Sequence, residues 1–396
     1  MKNQEKIRWI ILYYTIFIYV GMSGAIIGPS LFKLIEQTNS SIGLLSYIFP
    51  ARAISYLVGS WLAGLLFDKF RGHRLLILIL PVMGLSLGLI PFLARPVTLI
   101  FVAMIMALAT GLVDVGVNTL LFRVPDIKIA PVMNGLHFFF GVGSFFAPLI
   151  LSITLKATQG IQWGFLGLAL FVLVILVQFI QLKEPKSTPV DRTEQESESS
   201  VASINRPLLI WVVALFFIAF VGVEVGYGDW ISTFAIRSGL TSETAAILLT
   251  STYWGAFTLS RLFSIPLAAK LKLKTILIAD VVGMFAGLGL VFLFPGKIDL
   301  LWVGTIILGF SVASLFPTML TYVESMLPMT GKTTSIFFVS GSIGSIILPW
   351  VIGRTVESIG PIVIIRILFM STVLAGVIFL VLLQISKKHP RQSARV

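Results

Sequence analysis

The chain has 396 residues, of which 57% are hydrophobic and only 12% charged, and its mean hydropathy is +1.00. A soluble domain carries about 25% charged residues, so this composition points to an integral membrane protein. Cysteine is absent and histidine occurs three times, which excludes a disulfide framework, a thiolate zinc site and a thiol nucleophile and argues against a histidine-rich metal centre.

A helix crosses a bilayer with about 20 mostly apolar residues. Twelve such stretches are predicted, at 8–33, 41–67, 73–93, 97–123, 130–155, 161–182, 207–235, 243–269, 273–294, 299–325, 331–356 and 361–386. The first is too long for a cleavable signal peptide. The runs are continuously apolar rather than alternating, which disfavours a β-barrel. The polar stretch 183–206 is rich in Ser, Glu and Pro and reads as a flexible linker. The expected domains are therefore an N-terminal six-helix bundle (1–183), a cytoplasmic linker (184–206) and a C-terminal six-helix bundle with a short basic tail (207–396).

The formal charge of +12 is first a question of topology. Of the 29 basic residues, 21 fall on the side that holds both termini. Among them are Lys2, Lys6 and Arg8, Lys69, Arg71 and Arg74, Lys270, Lys272 and Lys274, and the C-terminal Lys387 and Lys388. The bias predicts a multi-pass protein of the cell or plasma membrane with both termini cytoplasmic. It gives no reason to invoke nucleic acid.

The two halves repeat at an offset near 200. Val20-Gly21 corresponds to Val221-Gly222 at 201, and Gly84-x-x-x-Gly88 to Gly283-x-x-x-Gly287 at 199. Gly143 and Pro148 of segment 5 correspond to Gly344 and Pro349 of segment 11 at 201. The expected fold is all-α, with twelve transmembrane helices in two pseudo-symmetric six-helix bundles, two parallel repeats about an axis along the membrane normal. The glycines are expected mainly to let helices approach closely.

The loop after segment 2 reads Gly64-Leu-Leu-Phe-Asp68-Lys-Phe-Arg-Gly72-His-Arg74. It resembles the signature loop of the major facilitator superfamily, with His73 in place of the usual Arg. In that family the Asp pairs with a basic residue at the cytoplasmic end of helix 4, which implies an Asp68–Arg123 latch, with Arg261 and Glu324 as its C-terminal counterpart. Three segments narrow the resemblance: Gly111-Leu-Val-Asp114-Val-Gly-Val-Asn118, Asn134-Gly-Leu-His137-Phe-Phe-Phe-Gly141 and Gly222-Val-Glu224-Val-Gly-Tyr227-Gly-Asp229-Trp230. They look like the fucose permease-like and sodium-dependent glucose transporter-like sugar symporters. Fucose permease has an acidic residue in its first helix, and Met22–Gly28 has none.

Charges inside membrane helices are costly and usually face a cavity or a partner. Asp114 and Asn118 lie one turn apart on one face and can read sugar hydroxyls; the competing role for Asp114 is an ion pair with Arg52. Glu224 and Tyr227 share a face of segment 7. Asp229, Trp230, Tyr253 and Trp254 are candidates for sugar binding, with interfacial anchoring the alternative for Trp230 and core packing for Tyr253 and Trp254. His137 either titrates or bridges helices. Asp280 is expected in a structural pair. No ATP-binding loop is present.

These features imply a transporter rather than an enzyme. The expected function is cation symport, with H+ or Na+, of a small polar solute, most simply a monosaccharide, by alternating access. Proton-coupled efflux of amphipathic compounds is the alternative. No cofactor or bound metal is expected, and the partners are the substrate and the lipid bilayer around a monomer.

Overall fold

A computed structural model describes residues 3–125, 129–180, 182, 207–327, 329 and 331–388. The linker 184–206 and the basic tail beyond 388 lie outside the described residues. The described chain is helical throughout: α1 (Asn3–Ala25), α2 (Ile27–Thr38), α3 (Ile42–Leu45), α4 (Ile48–Lys69), α5 (Gly72–Leu89), α6 (Pro96–Phe122), α7 (Ile129–Thr158) and α8 (Gln162–Ile180) precede the linker. After it come α9 (Pro207–Arg237), α10 (Glu243–Lys270), α11 (Leu273–Leu293), α12 (Ile298–Val312), α13 (Leu315–Glu324), α14 (Gly331–Ile359) and α15 (Ile362–Lys388).

Among the described residues, eleven helical stretches are long and apolar enough to cross a membrane. The twelfth predicted segment is the helix α10, which carries Thr, Ser and Arg261 and is less apolar than its neighbours. Three segments are interrupted. Segment 1 breaks at Ile26 between α1 and α2, segment 2 at Ser46-Tyr47 between α3 and α4, and segment 10 at Ala313-Ser314 between α12 and α13. Breaks in membrane helices need local partners for the released carbonyl and amide groups.

Helix pairs meet where side chains vanish. A Cβ on Gly143 would run into the Ile18 carbonyl, closing α1 onto α7, and a Cβ on Gly344 would run into the Ile218 carbonyl, closing α9 onto α14. These two glycines are repeat counterparts, and so are their partners to within one residue. α4 and α6 are joined the same way, with Gly59 against Leu108 and Gly111 against the Tyr56 carbonyl and Ser60. Close backbone approach of this kind is how membrane helices gain packing without a hydrophobic drive. The other glycine match departs from symmetry. Gly84 and Gly88 face Ala169 of α8, with Val172 also against Gly84, whereas Gly283 faces Ser311 and Gly287 faces Gly304 and Leu308 of α12.

The chain forms two compact units. The first joins the N-terminal helices to Gly228–Gly255 and Gly353–Pro361, the parts of α9, α10 and α14 remote from the termini. The second holds the rest of the C-terminal helices.

Candidate functional site: carboxylates and arginines within the helices

Asp114 sits mid-helix in α6, partly buried. The Tyr56 hydroxyl on α4 donates to its Oδ2 at 2.5 Å. Asn118 Nδ2 donates both to the Asp114 carbonyl at 2.9 Å and to its Oδ1 at 3.0 Å. The carboxylate is thus held by neutral donors. The expected Arg52 partner is not there.

Arg52 instead turns to the break in segment 1. Its Nη2 donates to the carbonyls of Ser23 at 3.4 Å and Gly24 at 3.3 Å, which belong to the last turn of α1. Those carbonyls lack helical donors, and a cation is favoured at a helix C-terminus. The carboxylate that interacts electrostatically with Arg52 is Asp229. Asp229 itself presses on α2, where a Cβ on Gly28 would strike its backbone. Gly28 and Asp229 are repeat counterparts at the offset of 201.

Glu224 has a different environment. It is partly buried on α9 and interacts electrostatically with Arg261 of α10, whose guanidinium lies 4.6 Å from the Phe257 ring centroid. This corrects the expectation that Arg261 latches to Glu324. Arg261 faces the interior acid, and Glu324 is exposed near the end of α13. Tyr227, on the same helical face as Glu224, has a partner of its own. Tyr227 is fully buried and its hydroxyl meets Thr305 Oγ1 of α12 at 2.7 Å.

Asp68 and Arg123, which the loop signature pairs, lie in contact. Arg123 Nη2 lies 3.3 Å from Asp68 Oδ1, and its Nη1 donates to the Phe67 carbonyl at 3.1 Å. The unusual His73 is buried beside it, 2.9 Å from the Tyr13 hydroxyl and packed on Trp9 with ring centroids 4.2 Å apart. Sequence reading missed Trp9 and Tyr13, although their spacing of four on α1 marks a shared face.

Other candidates fall in packed positions. Trp230 is 0% exposed, 5.4 Å from the Phe49 ring centroid and against Gly353, so it is not an interfacial anchor. Tyr253 is also fully buried and pairs edge-on with Trp254 at 5.2 Å. Trp254 covers Gly228. His137 is exposed on α7, with its ring 6.0 Å from that of Phe17. Asp280 accepts from Ser314 at 2.5 Å, so the expected structural pair is made at the break in segment 10.

A further set of contacts, not foreseen from sequence, closes the end of the first unit remote from the termini. Glu357 Oε1 accepts from the Ile42 amide at 2.7 Å, beside the Ser41 cap on Leu44. Lys33 bridges Glu36 at 2.9 Å and Glu243 at 3.0 Å. Ser152 Oγ donates to the Thr244 carbonyl at 2.9 Å, and Ser251 Oγ to the Phe145 carbonyl at 2.7 Å. A Cβ on Gly43 would lie 3.9 Å from the Gly353 carbonyl. At the offset of 201, Gly43 and Gly353 are the counterparts of Thr244 and Ser152, so the closure repeats the internal symmetry. The signal available in sequence was the repeat, applied to pairs of residues rather than to single ones.

Twelve helical segments with acids and arginines engaged inside them define a polytopic membrane transport protein. The chain matches the Major Facilitator Superfamily over residues 13–349 and belongs to that family. It is 30% identical over 372 residues to the sodium-dependent glucose transporter 1A of Mus musculus, covering 86% of this chain and 88% of the relative. It is 28% identical to the sodium-dependent glucose transporter 1 of Homo sapiens, covering 85% of this chain and 71% of the relative. Its fold is similar to the crystal structure of the nucleoside transporter NupG, with a TM-score of 0.72 and 14% identity over 98% of this chain and 100% of the other. It is also similar to a bacterial homologue of the human lysosomal transporter Spinster, with a TM-score of 0.76 and 13% identity over 99% and 100% of the two chains.

Proposed function

We propose that this protein is a secondary active transporter that carries a monosaccharide into the cell together with a cation, by alternating access. Residues 1–183 and 207–396 are read as the two moving bundles. The observation that supports this most is the pair of interior carboxylates, Asp114 on segment 4 and Glu224 on segment 7, in a chain whose curated relatives are named for sodium-dependent glucose transport. A carboxylate within a membrane helix is costly and marks an ion or substrate path or a paired counter-charge. Asn118, beside Asp114, offers an amide that can read hydroxyls, and Asn134 and His137 are exposed on α7.

The charge bias sets both termini in the cytoplasm. In that orientation, the contacts of Gly28, Glu357, Lys33 and Ser152 lie at the outer end of the first unit. The Asp68–Arg123 pair acts at the opposite end and biases the equilibrium between states.

Uptake of labelled sugars into proteoliposomes tests the reading. Glucose or another monosaccharide should accumulate under an inward cation gradient and dissipate when the gradient collapses. Resistance to a panel of amphipathic toxins on overexpression, with no sugar uptake, would instead favour efflux and sink this proposal.

A further inference from the structure

Within the first unit, the surface between α4 and α6 holds more oxygen than it can satisfy. Tyr56 and Ser60 lie one turn apart on α4, and Asp114 and Asn118 one turn apart on α6. Gly59 and Gly111 bring the two backbones into contact at this level, with Ser60 Oγ 3.0 Å from where a Gly111 Cβ would lie. The donors are already committed. The Tyr56 hydroxyl and the Asn118 amide both point at Asp114. Two oxygens remain: Asn118 Oδ1 and Ser60 Oγ are buried atoms with no hydrogen-bond partner of good geometry, Ser60 beside the Tyr56 phenol. A buried acceptor left unmatched is costly.

The charge is unmatched as well. Among the described residues, no basic side chain pairs with Asp114. Arg52, the nearest candidate from sequence, is held by Ser23, Gly24 and Asp229. The second interior acid differs, because Glu224 faces Arg261. A cation entering beside Glu224 meets a guanidinium; among the described residues, one entering beside Asp114 meets no basic side chain.

We propose that Asp114, Asn118, Ser60 and Tyr56 bind the co-transported sodium ion. This rests on the cation-symport reading and assigns its ion and site. Hard cations select carboxylate, amide and hydroxyl oxygens. One carboxylate neutralises one positive charge, so a monovalent ion leaves the loaded site neutral, whereas a divalent ion leaves a net charge inside the membrane. The five oxygens of these four side chains are also fewer than the 6–8 that calcium takes. Turning the Asn118 amide over exchanges Nδ2 for Oδ1 at nearly constant shape. That motion brings the partnerless oxygen toward Asp114, which only a cation between the two makes favourable. Sodium would then replace the amide donor at Asp114, taking the Asn118 and Ser60 oxygens as ligands in exchange for the two hydrogen bonds the amide gives up.

The test is thermal unfolding of the purified full-length protein without sugar, at fixed pH and ionic strength, with NaCl exchanged for choline chloride or KCl. Sodium should raise the Tm of the wild type saturably and more than potassium does. Asp114→Asn should lose the rise, and Asn118→Leu should lose it or require on the order of tenfold more sodium, as expected for one lost charge-assisted contact. Tyr56→Phe and Ser60→Ala, which keep the packing, should shift the half-saturating sodium concentration upward and keep the protein testable if the first two variants fail to fold. A wild type whose Tm ignores sodium overturns the site, even if sugar uptake proves proton-driven. Unchanged half-saturation in all foldable variants also overturns it. A sodium shift lost in the variants, in a protein that shows no sugar counterflow, upholds the cation site and overturns the sugar reading alone.

Discussion

Asp114 and Glu224 lie in opposite halves of the sequence and are held in different ways. Asp114 rests among neutral donors from Tyr56 and Asn118. Glu224 interacts electrostatically with the Arg261 guanidinium. An acid held by neutral donors changes charge, or takes up a cation, without stranding a partner. An acid paired with arginine cannot, because neutralising it leaves the arginine uncompensated. Under the proposed symport, this difference would put charge turnover at Asp114 and charge balance at Glu224.

Breaking this comparison starts with Asp114. Asp114→Asn should abolish accumulation above equilibrium while sugar counterflow without a gradient persists, as read in proteoliposomes. Equal loss of both would mean that Asp114 binds sugar rather than coupling the cation. Next in size is Arg261→Gln. It should lower stability by about 3 kcal/mol, the lower end for a broken buried pair, and Glu224→Gln in the same chain should restore much of the loss. A double-mutant cycle on thermal melting measures this, and additive effects would dissolve the pair. Tyr56→Phe should cost roughly 1.5–3 kcal/mol as the loss of a bond to a charged acceptor, visible in the same melt and absent in the Asp114→Asn background. The smallest effect belongs to Glu243→Gln. The Lys33–Glu243 bridge is partly exposed, at 27% and 32%, so about 0–1 kcal/mol is expected. Its readout is a modest gain in thiol labelling of a Thr244→Cys variant, as the closed end opens more often.

Much of the fold was legible because bilayer physics is coarse. A run of twenty apolar residues has few alternatives, and the segment at 73–93 or 361–386 follows from that alone. The signature loop likewise foretold the Asp68–Arg123 contact. Breaks were harder to read. Ile26 and Ala313 are apolar residues inside apolar runs, and only the arrangement around them, with Arg52 at the first and the Asp280–Ser314 bond at the second, marks those positions. Partner choice was not legible at all. Arg52 could reach either Asp114 or Asp229, and Arg261 either Glu224 or Glu324; sequence gives the residue types but not which faces of neighbouring helices meet. Trp230 shows the same gap, since a tryptophan near a helix end fits an interfacial anchor and a buried wedge equally well.

The contact between Gly28 and Asp229 has a consequence for how the two halves diverged. These residues are copies of one ancestral position, if the repeat arose by duplication, and they touch each other. A position that meets its own copy cannot carry a bulky or charged group in both. Two aspartates there would set carboxylate against carboxylate, and two glycines would leave Arg52 without its acid. The divergence of this one site therefore had to be unequal. Making the halves more alike, by Gly28→Asp or by Asp229→Gly, removes the asymmetry that lets them close on each other.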